Sequence, residues 1–156
     1  MIGRWLFALG AMMLVVSAAQ GAPADPAKKT LMCLDKADTG QTSPQLCAGV
    51  LQAACVAAGR NDEKVTDAAC AAKELAFWQA QLDKNWKLVQ PLLAPDMRAD
   101  QIAAQKLWLQ YREKSCAIAD KVDPGMMPGG SARCRMEETA GRVIALRAIV
   151  SALSEH

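Results

Sequence analysis

The sequence has few aromatic residues and only one histidine, His156, its last residue. Ser–His–Asp and Cys–His catalytic sites need a histidine inside the fold, so the sequence supports neither class of enzyme. Adjacent acids, as at Asp62-Glu63 and Glu137-Glu138, point apart on a helix and are typical of solvated surface. No C-x-x-C pair is present, whereas structural zinc sites need closely spaced Cys and His ligands. We therefore expect a non-enzyme with no catalytic residue, no metal and no cofactor.

Long apolar runs are also missing. The longest, Trp5 to Val16, is shorter than the roughly 20 residues that a membrane span requires. Arg4 precedes the run and small residues follow it, which is typical of a secretory signal peptide. We expect residues 1–21 to be removed after Ala19 or Gly21, which predicts a periplasmic protein with no stable membrane anchor.

No charge of one sign dominates. Loss of residues 1–21 removes one base and no acid, so the net charge falls from +2 to about +1. The electrostatic field of such a chain is too weak to attract nucleic acid or an anionic membrane surface, so we expect neither as a partner.

The fold class is expected to be all-α, because apolar residues recur at helical spacing and no strand pattern occurs. The predicted structure is a small, disulfide-stapled antiparallel bundle of about five helices. Their expected ranges are about 25–37, 43–58, 66–91, 99–119 and 134–153, with residues 121–132 forming a loop. Apolar stripes are predicted on the third helix (Leu75, Trp78, Leu82, Trp86, Val89, Leu93) and the fifth (Met136, Thr139, Val143, Leu146, Val150, Leu153).

The fourth helix is expected to place Trp108, Tyr111, Ser115 and Ile118 on one side. The exposed faces of the predicted bundle contain scattered Lys, Gln and Asp. They therefore predict no apolar patch outside the loop.

All six cysteines follow the expected signal peptide, and an even number in an exported chain indicates disulfides. Cys116 and Cys134 flank the loop between two antiparallel helices, so they are expected to pair. The other four cysteines flank the first two predicted connections between helices in the same way. The predicted pairs are Cys33–Cys47, Cys55–Cys70 and Cys116–Cys134.

A longer motif begins with Gln105, Trp108, Arg112 and Cys116 and continues through a Gly-Gly-Ser segment at 129–131. Its other residues are Cys134, Thr139, Arg142 and Leu146, with Cys70, Glu74, Trp78 and Leu82 upstream. The combination resembles the lysozyme inhibitor LprI-like domain family over about residues 66–146. Residues 22–65 are then an N-terminal cysteine-containing helical segment and 66–156 the family's helical domain. The chain departs from the family in the third helix, where Asp83 and Trp86 replace the frequent Asn and Tyr.

The motif side chains are interpreted as structural. Glu74, Trp78, Trp108, Arg112, Gly130, Ser131, Thr139, Arg142 and Leu146 form this set. Trp108, Arg112 and Cys116 share one helix face. We expect Glu74 to neutralise Arg112 or Arg142 while a tryptophan covers the arginine stem. The alternative is a ligand site.

The loop is the predicted partner-binding segment, and the alternative is a simple connector. Its residues for binding are Lys121, Asp123, Met126, Met127, Gly129, Gly130, Ser131 and Arg133. The resemblance implies a non-catalytic periplasmic protein that inhibits a lysozyme-type enzyme by blocking its cleft. The alternative function is a structural or assembly module of the cell envelope with no enzyme target.

Overall fold

The computed structural model describes residues 25–122 and 126–155. Those ranges contain helices and no strand, which confirms the all-α class. The helices are α1 (Pro26–Asp38), α2 (Val50–Ala58), α3 (Asp67–Val89), α4 (Pro95–Cys116) and α5 (Gly130–Ser154). Short 3-10 turns occupy Pro44–Cys47, Gln90–Leu92 and Ala119–Lys121. The expected signal peptide at residues 1–21 lies outside the described residues.

Capping residues and prolines set the helix starts. The Asp25 carboxylate accepts a hydrogen bond from the backbone N–H of Ala27, and Thr66 caps α3 in the same way. Pro95 begins α4, four residues earlier than the sequence predicts. A proline fits the first helical position because its missing N–H would have no partner there.

A single second helix over 43–58 is also wrong. The structure divides this segment into a 3-10 turn and α2, with Gly49 between them at φ +90°. That backbone conformation is accessible to glycine and costly for other residues. The break at Gly49 turns the N-terminal end of α2 towards α3.

The core lies between α3 and α5. These helices run in the same direction, and α4 runs antiparallel to both. The two predicted stripes supply the largest buried apolar side chains, which are Trp78, Leu82, Val89, Met136, Val143 and Leu146, and α1 adds Leu34. Leu75, Trp86, Val150 and Leu153 are partly buried against this core. Because α1 contributes to the same core, the N-terminal segment packs directly on the long helices.

Three disulfides join the helices, in the pairing that the sequence predicts. Cys33 bonds to Cys47, Cys55 to Cys70 and Cys116 to Cys134. The first links α1 to the 3-10 turn, the second links α2 to α3, and the third links α4 to α5. Each pair closes a segment of 14 to 18 residues.

The orientation of α4 differs from the prediction. Trp108 is partly buried, but Tyr111 is 55% exposed and Ile118 is 61% exposed. The inward face instead carries polar side chains, among them Gln105 and Arg112, and Cys116 is the one buried residue of α4. Polar groups thus hold α4 against the bundle while several of its apolar residues face outward.

Candidate functional site

The segment between α4 and α5 is shorter than the predicted loop. A 3-10 turn covers Ala119–Lys121, and α5 begins at Gly130. Gly130, Ser131 and Arg133, which were predicted as loop residues, therefore lie in the first turn of α5. Asp123 lies outside the described residues. The Cys116–Cys134 disulfide closes the base of this segment, with a Cα–Cα distance of 5.4 Å.

The Gly-Gly-Ser segment forms the N-terminal end of α5. The backbone N–H of Ser131 donates to Asp120 Oδ1 at 2.8 Å. Hydrogen bonds from the Ser131 side chain and backbone lower the pKa of Asp120 below its ordinary value. Gly129 has φ +85° and Gly130 has φ +49°. A Cβ at Gly130 would lie 2.7 Å from Asp120 Oδ1, so glycine makes room for this carboxylate.

We expect Gly130→Ala to lower the free energy of unfolding by about 1–2 kcal/mol, because a left-handed backbone is strained for alanine. Urea unfolding followed by circular dichroism measures the loss. Gly141→Ala is the matched control, since a Cβ at this α5 residue meets no atom within 4 Å. The control should gain about 0.4–1 kcal/mol. Equal effects of both substitutions would contradict the role assigned to Gly130.

Two methionines occupy the surface between the fixed ends of the segment. Met126 is 78% exposed and Met127 is 38% exposed. Lys121 is exposed as well. Arg133 makes an ion pair with Glu137 one turn along α5, at 2.8 Å between Nε and Oε1. Among the described residues, this surface therefore presents two thioethers, the Lys121 ammonium and the Arg133–Glu137 ion pair, which is about half exposed.

A second cluster joins α3, α4 and α5 around Trp108. The Arg112 guanidinium lies 5.0 Å from the Trp108 ring centroid, and that of Arg142 lies 5.9 Å from it. Arg112 donates to Thr139 at 3.0 Å and to Gln79 at 3.3 Å. An indole close to two guanidiniums gains cation–π attraction from each. This cluster is the polar contact that fixes the inner face of α4.

The ion pairs of this cluster run along its exposed edge. Glu113 accepts hydrogen bonds from Arg112 at 2.8 Å and from Arg135 at 2.9 Å. Burial acts to raise the pKa of Glu113, but the hydrogen bonds and charges of the two arginines lower it below its ordinary value. Arg142 makes no ion pair with any residue that the structure describes. It donates to Gln105 at 2.8 Å, and its partial burial lowers its pKa.

Glu74 has a different role from the one that the sequence suggests. Its side chain is fully buried and accepts three hydrogen bonds. The donors are the backbone N–H of Gly49 at 2.7 Å, that of Gln52 at 2.6 Å, and the Trp78 indole at 2.8 Å. The expected ion pair between Glu74 and Arg112 or Arg142 is therefore wrong. The Glu74 carboxylate instead caps the N-terminal end of α2, where the helix dipole favours a negative charge.

The motif residues thus divide into separate groups rather than one pocket. Glu74 and Trp78 lie beneath α2. Trp108, Arg112 and Arg142, which we call the arginine cluster, lie between the long helices. Gly130 and Ser131 lie at the base of the segment that carries Met126 and Met127, which we call the methionine segment. Leu146 is a fully buried core residue. Sequence reasoning missed four of the contacting residues, Gln79, Glu113, Asp120 and Arg135, which have no recognisable spacing in the sequence.

Within residues 25–122 and 126–155, no group of three or more His, Cys, Asp or Glu side chains is arranged to hold a metal ion. The same part of the chain has no free cysteine. It also contains no helix that is both long and apolar enough to cross a bilayer. Its distinctive chemistry is the arginine cluster and the exposed methionine segment.

Comparison with known protein families identifies the family of this chain. The family described as lysozyme inhibitor LprI matches residues 55–146, which include α3, α4 and most of α5. Comparisons with curated proteins and with solved structures find no match. Because the family match covers more than half of the chain, the protein is a member of the lysozyme inhibitor LprI family.

Proposed function

We propose that the protein is a non-catalytic, exported inhibitor of lysozyme-type muramidases. It acts by placing the segment between α4 and α5 in the enzyme's sugar-binding cleft. Family membership supports the inhibitory activity. The observation that carries the binding mode is the exposure of Met126, 78%, beside Met127 on a segment with both ends fixed.

The fixed ends favour binding because a segment that is held at both ends loses less conformational freedom on meeting a partner than a free one does. The Cys116–Cys134 disulfide holds the base, and the hydrogen bond from Ser131 to Asp120 holds one side. Methionine is unbranched and polarizable, so it adapts to an irregular surface. This combination suits a segment that fills a cleft shaped for another ligand.

The charge of Lys121 also suits binding to the cleft of such an enzyme. Glycoside hydrolases of this type use two carboxyl groups that flank the bond to be cleaved. Lys121 is exposed and makes no ion pair with any described residue. We propose that its ammonium approaches these carboxylates. Arg133 is already paired with Glu137 and stabilises the base of the segment instead.

The proposed compartment is the periplasm. All six cysteines form disulfides, as is common in oxidising compartments. Peptidoglycan and the enzymes that cleave it occur outside the cytoplasmic membrane, so an inhibitor must be exported to reach its target. We propose that residues 1–21 direct this export and are then removed.

The test replaces both loop methionines. Met126→Ala with Met127→Ala should weaken inhibition of lysozyme-catalysed cell-wall lysis by at least about tenfold, or roughly 1.4 kcal/mol. The inhibition constant is measured by loss of turbidity of a bacterial suspension, with the oxidised protein added in increasing amounts. Thermal stability should change little, because Met126 is 78% exposed, Met127 is 38% exposed, and neither belongs to the buried core.

The matched control is Met32→Ala with Met97→Ala. These methionines are 51% and 50% exposed and lie on α1 and at the start of α4. The control should inhibit as the parent protein does. Equal inhibition by both double variants would mean that the segment only connects α4 to α5 and does not bind the enzyme. If the parent protein inhibits no lysozyme, the proposed activity is wrong, and a structural or assembly role in the envelope becomes the better proposal.

A further inference from the structure

The outer face of α4 is more apolar than its inner face. Leu107 is 66% exposed and Tyr111 is 55% exposed. Their spacing of four residues puts them on one side of the helix, and the exposed, small Ala103 and Ala104 lie beside them. Exposed apolar patches on a folded protein commonly mark an interaction surface. We call the surface formed by Ala103, Ala104, Leu107 and Tyr111 the outer α4 face.

Two unpaired charges frame this face. Asp100 lies seven residues before Leu107, and Lys114 lies seven residues after it. A separation of seven residues is close to two helical turns, so both side chains share the side of Leu107. Both are exposed, and neither makes an ion pair in the part of the chain that the structure describes. The charges are opposite in sign and equally far from Leu107.

We propose that the outer α4 face binds a second copy of this chain, with the two α4 helices antiparallel and a twofold axis beside Leu107. Residues equally far from Leu107 in opposite directions then lie at the same level. Asp100 of each copy meets Lys114 of the other, so the ion pair forms twice. Tyr111 of each copy comes to the level of Ala103 and Ala104, whose small side chains leave room for its ring.

The pattern favours self-association over an unrelated partner because it is self-complementary. A twofold contact uses the same patch on both copies, and each feature must find its complement within that patch. The outer α4 face meets this requirement for charge and for size. Helices with apolar residues at this spacing pack at a small crossing angle, as in coiled coils. The dimer does not depend on the proposed inhibition, which uses the segment after α4.

The first experiment is sedimentation equilibrium of the oxidised protein, purified after export of the full chain, at several concentrations. The parent protein should be a dimer. Leu107→Glu should raise the dimer dissociation constant by at least tenfold, because it places two like charges together at the axis. Leu46→Glu is the matched control, since Leu46 is 69% exposed on the 3-10 turn before α2. It should leave the dimer intact.

The second experiment exchanges the charges. Asp100→Lys alone and Lys114→Asp alone should each weaken the dimer, because each brings two like charges together. The double exchange, D100K with K114D, should restore the parent dissociation constant within a few-fold. Circular dichroism of each variant checks that the fold is kept. These side chains are exposed, so the monomer is expected to fold in every case.

The two experiments can overturn or support the proposed dimer. A monomeric parent protein at every concentration overturns the proposal, and the outer α4 face is then left for another partner. A dimer that Leu107→Glu does not weaken also overturns it, because the contact would lie elsewhere. Loss of dimerisation in both single exchanges with recovery in the double exchange supports the antiparallel arrangement.

Discussion

Glu74→Ala is expected to lower the free energy of unfolding by about 3–5 kcal/mol. The substitution removes a buried carboxylate and leaves three donors without a partner. Each unsatisfied buried donor costs about 1–3 kcal/mol, and the loss of one member of a buried charged contact costs about 3–5 kcal/mol. The loss is measured by urea unfolding, with far-ultraviolet circular dichroism as the signal.

Glu74→Gln separates charge from shape. A carboxamide has one oxygen, whereas the backbone N–H groups of Gly49 and Gln52 bond to different oxygens of the carboxylate. We expect an intermediate loss of about 2 kcal/mol. The surface control is Glu63→Ala, which changes an exposed acid and should fall within about 0.5 kcal/mol of the parent. A Glu74→Ala variant as stable as this control would refute the capping role.

Removal of the Cys116–Cys134 disulfide by paired substitution to alanine should cost about 3 kcal/mol. The bond closes a segment of 18 residues, and the estimate follows from the chain entropy that such a closure removes from the unfolded state. The same variant should also lose inhibition, because the base of the methionine segment is no longer fixed. Both effects are measured on one preparation, by urea unfolding and by the lysis assay.

The paired substitution of Cys33 and Cys47 is the matched control. This disulfide closes 14 residues and lies at the other end of the described chain. Its removal should cost a similar free energy but leave inhibition unchanged at temperatures where the protein stays folded. Inhibition that falls equally in both variants would mean that global stability, not the fixed segment, sets the activity.

The sequence predicts the features that depend on periodicity. The stripes on α3 and α5 form the core because side chains three and four residues apart share a helix face, and this rule needs no knowledge of the partner helix. The disulfide pairing is predictable for a related reason. Cys55–Cys70 and Cys116–Cys134 each join the end of one helix to the start of the next, and Cys33–Cys47 joins α1 to the 3-10 turn that follows it. Neighbouring elements with short connections lie side by side.

The features that depend on distant partners could not be predicted. Glu74 was assigned to an arginine by charge, but its partners are backbone groups, and a sequence does not reveal which helix end lies against a given side chain. The prediction of the orientation of α4 was wrong for a related reason. Tyr111 was expected on the same side of α4 as Trp108, but the contacts of Trp108 with Arg112 and Arg142 turn the side that carries Tyr111 towards solvent.

The methionine segment was predicted only in part. Its methionines are exposed as expected, but the residues that follow them belong to α5. The signal in the sequence was ambiguous because glycines at 129 and 130 are typical of a loop and also permit the left-handed backbone at a helix start. Asp120, whose carboxylate requires glycine at position 130, had no distinguishing mark in the sequence.

The order of the three disulfides has a consequence for biogenesis. The six cysteines are bonded in three consecutive pairs along the chain, the first to the second, the third to the fourth and the fifth to the sixth. Six cysteines allow 15 arrangements, and this is the one obtained when every second thiol to emerge is oxidised against the one before it. For a chain that crosses a membrane N-terminus first, a simple oxidant therefore produces the native bonds directly. If the chain is exported in this way, we expect it to mature without a disulfide isomerase.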